Sequence, residues 1–152
     1  NKPGDQQALL PKVAKLNVDM KTFAETPRNI QLVDSAGNVF KESQNDKRFF
    51  EAAWVHKHGG KYYFSYSTGD THNIAYATGD NPYGPFTYRG VVLKPVKGWT
   101  NHHSIVKVGD RWFIFYHDVE LSGKTHLRNI KVAELRHNAD GSIQTIDPYP
   151  AQ

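Results

Sequence analysis

The sequence contains no cysteine, a single methionine and no long apolar run. Without cysteine the chain can form neither disulfide bonds nor zinc–thiolate sites, and it has no cysteine nucleophile. A membrane-spanning helix needs about 18 consecutive apolar residues, so no membrane partner is predicted. The 19 lysines and arginines are scattered among 15 acidic residues without a basic tract, which argues against nucleic acid. The compartment stays open, with a secreted or periplasmic location favoured.

The chain does contain an internal repeat with a spacing of 50 residues. Residues 55–66 align without a gap on residues 105–116, hydrophobic over hydrophobic and aromatic over aromatic. The matched pairs include Gly59 with Gly109, Lys61 with Arg111, and Tyr66 with Tyr116. Short strands repeating every 40–50 residues or so are typical of propeller blades. Residues 12–16 also resemble residues 131–135, which indicates the end of a third copy.

These repeats predict an all-β fold that is part of a β-propeller. The chain would be a single partial propeller domain, in which residues 1–48 form the end of a preceding blade and the linker to the next blade. Residues 49–95 would form one four-stranded blade, and residues 96–152 the last blade, with residues 141–146 as its fourth strand. Two blades and a part cannot close a ring. We therefore expect the missing N-terminal blades on another chain or segment, or pairing with a second copy.

Glu51 is the candidate general acid. The 50-residue offset places it over Asn101, so it should meet the Asn101–Ser104 cluster where inner strands begin near the propeller axis. Phe50 precedes it and Trp54 follows closely, and such an apolar setting disfavours the ionised form of a carboxyl, as proton donation requires. The alternative is an ordinary surface glutamate.

Polar and aromatic residues nearby are candidates for binding. His102 and His103 are adjacent, so a strand would turn them to opposite faces. His102 could orient water, a substrate hydroxyl or a metal, or be merely structural. Arg128 begins a third strand, where its counterpart in the previous repeat is His72, and it could reach a sugar hydroxyl or lie at the surface. Two tryptophans fit core packing or a sugar-stacking wall, Trp54 and Trp99.

The remaining histidines show no ligand spacing and are predicted to lie at the surface. They include His56, His58 and His137.

At these residues the chain resembles glycoside hydrolase family 43, the five-bladed β-propeller β-xylosidases and α-L-arabinofuranosidases. The resemblance covers residues 49–148, the last two blades. The motifs that carry it are Phe49–Trp54, Gly60–Ser67, Ile74–Thr78, Pro82–Phe86, Asn101–Ile105 and His126–Arg128.

The resemblance implies an inverting hydrolase of the xylosidase or arabinofuranosidase type, with an Asp base, a second Asp that tunes and positions, and a Glu acid. The acid maps onto Glu51, the family's axial histidine onto His102 and its substrate-binding arginine onto Arg128. Substrate contacts are expected also from Phe50 and the tryptophans. No cofactor is required, although a calcium ion near the axis, held by His102, is compatible with the family.

Neither aspartate has a counterpart here, so the resemblance places both upstream of Asn1 and predicts that the chain alone is inactive. The partner would be a pentose-containing oligosaccharide or polysaccharide from plants. Two alternatives stay open: a propeller fragment that binds sugar without cleaving it, and a fragment that is structural and pairs with itself.

Overall fold

A computed structural model describes residues 4–150, and their regular elements are all strands. In chain order they are β1 (Lys12–Val13), β2 (Arg28–Asn29), β3 (Leu32–Val33), β4 (Phe49–His58), β5 (Lys61–Thr68), β6 (Ile74–Gly79), β7 (Phe86–Leu93), β8 (His103–Val108), β9 (Arg111–Asp118) and β10 (Asn129–Leu135). The predicted all-β class is confirmed. Within the described range no helix is long and apolar enough to span a bilayer.

The first repeat folds as the predicted antiparallel blade. Strands β4, β5, β6 and β7 lie side by side in chain order, and β3 adds to β7 in parallel at the outer edge. The β4–β5 hairpin turns at Gly59 and Gly60, with φ of 55° and 82°, a backbone conformation that glycine adopts without a steric penalty.

Strand β5 is buried on both faces, which positions everything around it. One face, with Tyr63, packs into a cluster shared with the last repeat, including Ile105 and Ile114. The other face, with Phe64 and Tyr66, packs against the N-terminal segment. Because both faces are covered, Ser65, Ser67 and Thr68 are buried together with the aromatic residues of the strand.

The last repeat differs from the prediction. It forms the three-stranded sheet β8–β9–β10, and residues 141–146 do not form a fourth strand. They make isolated bridges instead, Ile143 to His137 and Ile146 to Leu93. The N–H of Ile146 donates to the carbonyl of Val92, 2.8 Å away, so the segment satisfies its backbone groups partly on the neighbouring blade.

Two side-chain hydrogen bonds join β8 of the last blade to β4 and β5 of the preceding blade, beside this shared cluster. The indole N–H of Trp54 donates to the carbonyl of Ile105 at 3.0 Å. His103 Nε2 lies 2.6 Å from Ser65 Oγ. Strands β4 and β8 are therefore fixed relative to each other, and so are the side chains at their N-terminal ends.

Candidate active site

Glu51 lies in an irregular stretch of β4. The pairing of β4 with β5 shifts register on both sides of Glu51, and Ala52 has a positive φ of 60°. Bulges of this kind redirect a side chain relative to its strand and are frequent beside active sites. The carboxylate atom Oε1 is covered, although the side chain as a whole is 33% exposed.

His102, from the other blade, meets this carboxyl. Its Nε2 lies 3.3 Å from Glu51 Oε1, and its side chain is 53% exposed. The two atoms are close without being aligned as a hydrogen bond, and Glu51 Oε1 has no hydrogen-bond partner among residues 4–150. The covered oxygen is the one beside His102, so a ligand would reach the carboxyl from its exposed side.

His117 contacts His102 through a hydrogen bond and through its ring. The backbone N–H of His102 donates to His117 Nε2 at 3.1 Å, and the two rings are nearly parallel with centroids 6.0 Å apart. Burial lowers the pKa of His117, and the nearby positive charge of Arg128 lowers it further. A neutral ring that accepts at Nε2 carries its proton on Nδ1.

The adjacent histidines separate as expected. His102 turns toward Glu51, whereas His103 is buried between the blades against Ser65. Burial lowers the pKa of His103 to about 3, so the ring stays neutral. Their roles differ accordingly: His102 is available to a ligand, and His103 holds the blades together.

Arg128 lies in the same neighbourhood, since its charge and that of Glu51 both act on His117. Its Nε donates to the carbonyl of Thr125 at 3.1 Å and its guanidinium reaches Thr100 Oγ1 at 3.4 Å. The side chain is exposed, with donors to spare for a sugar hydroxyl.

Two exposed aromatic residues lie close in sequence to Glu51 and to His102. Phe50 directly precedes Glu51 and is 42% exposed, and Trp99 lies three residues before His102 and is 66% exposed. His72 sits between them, with ring centroids 5.8 Å from Phe50 and 5.1 Å from Trp99. The structure does not bring Trp54 into this group, because its indole is packed between the blades.

Sequence reasoning missed several of these partners. The contact of His117 with His102 depends on tertiary packing and has no local signal in the sequence. The surface prediction for His56 is wrong: it is buried, stacks on Tyr63 and lies 3.2 Å, Nε2 to Nε2, from His137. His58 stacks on His137 with centroids 3.9 Å apart.

The described residues do not make a metal site. Residues 4–150 contain no group of three or more histidine, aspartate or glutamate side chains that could hold an ion. Calcium takes six to eight oxygen ligands, whereas His102 offers a nitrogen. The arrangement of Glu51, His102 and Arg128 suits proton donation and recognition of a neutral polar ligand.

Comparisons with known proteins find a family model and relatives that match most of the chain. The family model described as Glycosyl hydrolases family 43 matches residues 9–143. A xylosidase/arabinosidase from Bacteroides ovatus is 55% identical over 145 residues, covering 95% of this chain and 45% of the relative. Xylosidase/arabinosidase 43A from Humicola insolens is 57% identical over 144 residues, covering 93% and 44%.

The solved structures extend the match to three dimensions. A β-xylosidase/α-arabinofuranosidase from a compost microbial metagenome, solved with xylotriose in a calcium-free form, superposes with a TM-score of 0.95 at 60% identity. The match covers 99% of this chain and 46% of that protein. The chain spans less than half the length of these relatives, and its blades are part of a five-bladed propeller.

Proposed function

Because the chain belongs to glycosyl hydrolase family 43, we propose that it is the C-terminal portion of an inverting glycosidase and supplies the general acid Glu51. The observation that carries the proposal is the position of this carboxyl, which is only 33% exposed and lies 3.3 Å from His102 of the neighbouring blade. A proton donor needs a fixed position and surroundings that restrict water.

The neighbouring residues receive roles from their contacts. His102 lies against the carboxyl, and His117 accepts from the backbone N–H of His102 and so helps to position it beside Glu51. Arg128 donates hydrogen bonds to sugar hydroxyls, for which its fork of N–H groups is suited. Phe50 and Trp99 present ring faces on which a sugar can stack. Of the tryptophans only Trp99 keeps this role, since Trp54 is engaged between the blades.

Glu51 alone does not complete an inverting reaction. Inversion needs a second carboxylate that activates water on the opposite face of the sugar, with the two carboxyls roughly 6.5–9.5 Å apart. We place that base on blades outside this chain and infer that residues 1–152 by themselves turn over no glycoside. No step is assigned to calcium, which His102 could at most contact.

The substrate we propose is a xylose- or arabinose-containing oligosaccharide or polysaccharide. The support is the relative solved with xylotriose and the xylosidase/arabinosidase relatives. The proposed organisation is one partial domain, with residues 1–48 ending a preceding blade, 49–95 one blade and 96–152 the last. The missing blades, or a second copy, would cover the open face of that last blade.

Ligand binding by the chain itself tests the sugar contacts. Titration with xylose, followed by NMR, should show binding that Arg128→Ala weakens at least about tenfold, since hydrogen bonds from a charged donor are worth about 1.5–3 kcal/mol. The matched control, Arg136→Ala, removes an arginine that instead pairs with Glu134 and should leave binding unchanged. Equal affinities in all three proteins would remove Arg128 from the site.

A further inference from the structure

The loop after β5 holds His72 in an unusual backbone conformation. Its φ is 49°, in the left-handed region, which residues other than glycine adopt uncommonly and which histidine, asparagine and aspartate adopt more often than the rest. Its N–H donates to the carbonyl of Gly69 at 3.1 Å. Strain of this kind persists only where the surroundings over-determine it, and such positions cluster at functional sites.

Several contacts hold the backbone of this loop in place. Buried Thr68 closes the loop, accepting from the N–H of Asn73 at its hydroxyl and donating its own N–H to the Asn73 carbonyl, at 3.0 and 2.9 Å. At Gly69 a Cβ would lie 2.8 Å from Asn45 Oδ1 and 2.9 Å from the Arg48 guanidinium, so a side chain there would displace these two polar groups. The two bonds between Thr68 and Asn73 therefore close the loop on which His72 lies.

The imidazole is held by its ring faces and edges and by no hydrogen bond. Both ring nitrogens are covered and have no partner among residues 4–150. Burying polar atoms in this way costs free energy, so the position is retained despite two unfavourable features. The contacts that remain are aromatic: Phe50 on one side and Trp99 on the other, each inclined by 60° to the ring.

His72 thereby joins three separate parts of the site. Phe50 comes from the start of β4, His72 from the loop before β6, and Trp99 from the connection between the blades. The two outer rings are largely exposed while the middle ring is not. The sequence of the two repeats matches here, with His72-Asn73-Ile74 in the place of Arg128-Asn129-Ile130.

We propose that His72 is a positioning residue that wedges Phe50 and Trp99 into a two-ring platform for a second sugar unit beside the one bound at Glu51 and Arg128. This rests on the proposed function and adds a determinant of chain length: the platform favours oligosaccharides over single pentoses. Its covered nitrogens bind no sugar, so His72 acts through the two rings it touches.

The test compares His72→Asn with the wild-type chain. Asparagine tolerates the left-handed backbone, so the variant keeps the loop while losing the ring. Xylotriose affinity should fall about three- to tenfold, the worth of an aromatic contact, while xylose affinity is unchanged. The control, His58→Asn, removes a stacked histidine from the opposite end of β4 and should change neither.

A second readout reports position without sugar. In chains labelled with 5-fluorotryptophan, the fluorine line of Trp99, assigned by its loss in Trp99→Phe, should move toward the solvent-exposed position in His72→Asn alone. An unmoved line, or xylotriose binding equal to wild type, overturns the proposal, as does a wild-type chain that prefers xylose. The proposed function is tested separately, by Glu51-dependent hydrolysis of an aryl glycoside in a protein that also contains the missing blades. That reaction does not require the two-ring platform.

Discussion

Glu51 and His102 approach to 3.3 Å across the boundary between two blades, one residue from each. The contact depends on the packing of the two blades, in which Trp54 on β4 bonds to β8 and His103 on β8 bonds to Ser65 on β5. The position of the Glu51 carboxyl is therefore coupled to the stability of this part of the molecule.

The histidines between the blades predict loss of stability in mild acid. Burial lowers the pKa of His56 to about 3 and that of His137 to about 4, from 6.5 in the unfolded chain. The unfolded state therefore gains protons as pH falls from about 6.5 to 4 while the folded state does not, so folding becomes less favourable. Each buried histidine that stays neutral contributes a slope of up to about 1.4 kcal/mol per pH unit.

Thermal unfolding between pH 7 and pH 4 measures this slope. His56→Phe keeps an aromatic ring against Tyr63 and Trp112 and removes one titrating group, so its melting temperature should fall less steeply with acid than that of the wild type. His126→Phe, at an exposed position, is the control and should follow the wild-type slope. Parallel curves for His56→Phe and the wild type would mean that this cluster does not control acid stability.

A buried carboxylate predicts a second, more acidic loss. Burial would raise the pKa of Asp118, but bonds from Tyr149, the Glu120 N–H, Lys131 and Asn129 outweigh it and lower the pKa to about 2. Its stabilisation is complete above its ordinary value of 3.8 and is lost as pH falls toward 2. The Tyr149 hydroxyl donates to Asp118 Oδ2 at 2.7 Å and ties the C-terminal segment to β9.

Removing that hydroxyl should be costly. Tyr149→Phe leaves a buried carboxylate short of one donor, and we expect a loss of about 1.5–3 kcal/mol in the free energy of unfolding, measured by urea denaturation at pH 7. Tyr62→Phe is the matched change on β5, where the ring lies under Lys57, and should cost less than 0.5 kcal/mol or so. Equal losses in the two variants would show that the Asp118 contact carries no special weight.

The face of the last blade predicts association. Ile130 and Val132 lie on one face of β10, with Phe115 opposite Val132 on β9, and all three are exposed. Exposed apolar sheet faces of this kind mark interfaces. The isolated chain should therefore form dimers or larger species in sedimentation, and the double substitution Ile130→Lys, Val132→Lys should render it monomeric. A monomeric wild-type chain at high concentration would contradict the prediction.

The repeat made much of this predictable. Since equivalent inner strands begin at the same end of neighbouring blades, the 50-residue offset was enough to bring Glu51 and His102 together. The repeat did not predict the course of residues 141–146 correctly. Instead of forming a fourth strand, this segment makes backbone hydrogen bonds to the neighbouring blade. The approach of His56 to His137, 81 residues apart, follows from that course and has no local signal.

The central claim, that Glu51 is the proton donor of a divided active site, is tested most directly in a chimaera. The N-terminal part of the 60%-identical compost enzyme would be fused to this chain, and hydrolysis of aryl xyloside and aryl arabinofuranoside measured beside the unfused chain. We predict turnover by the chimaera and none by the chain, with a loss of about 10²–10⁴-fold in Glu51→Gln and none in Glu42→Gln. Turnover that survives Glu51→Gln, or that the unfused chain supports by itself, would contradict the account.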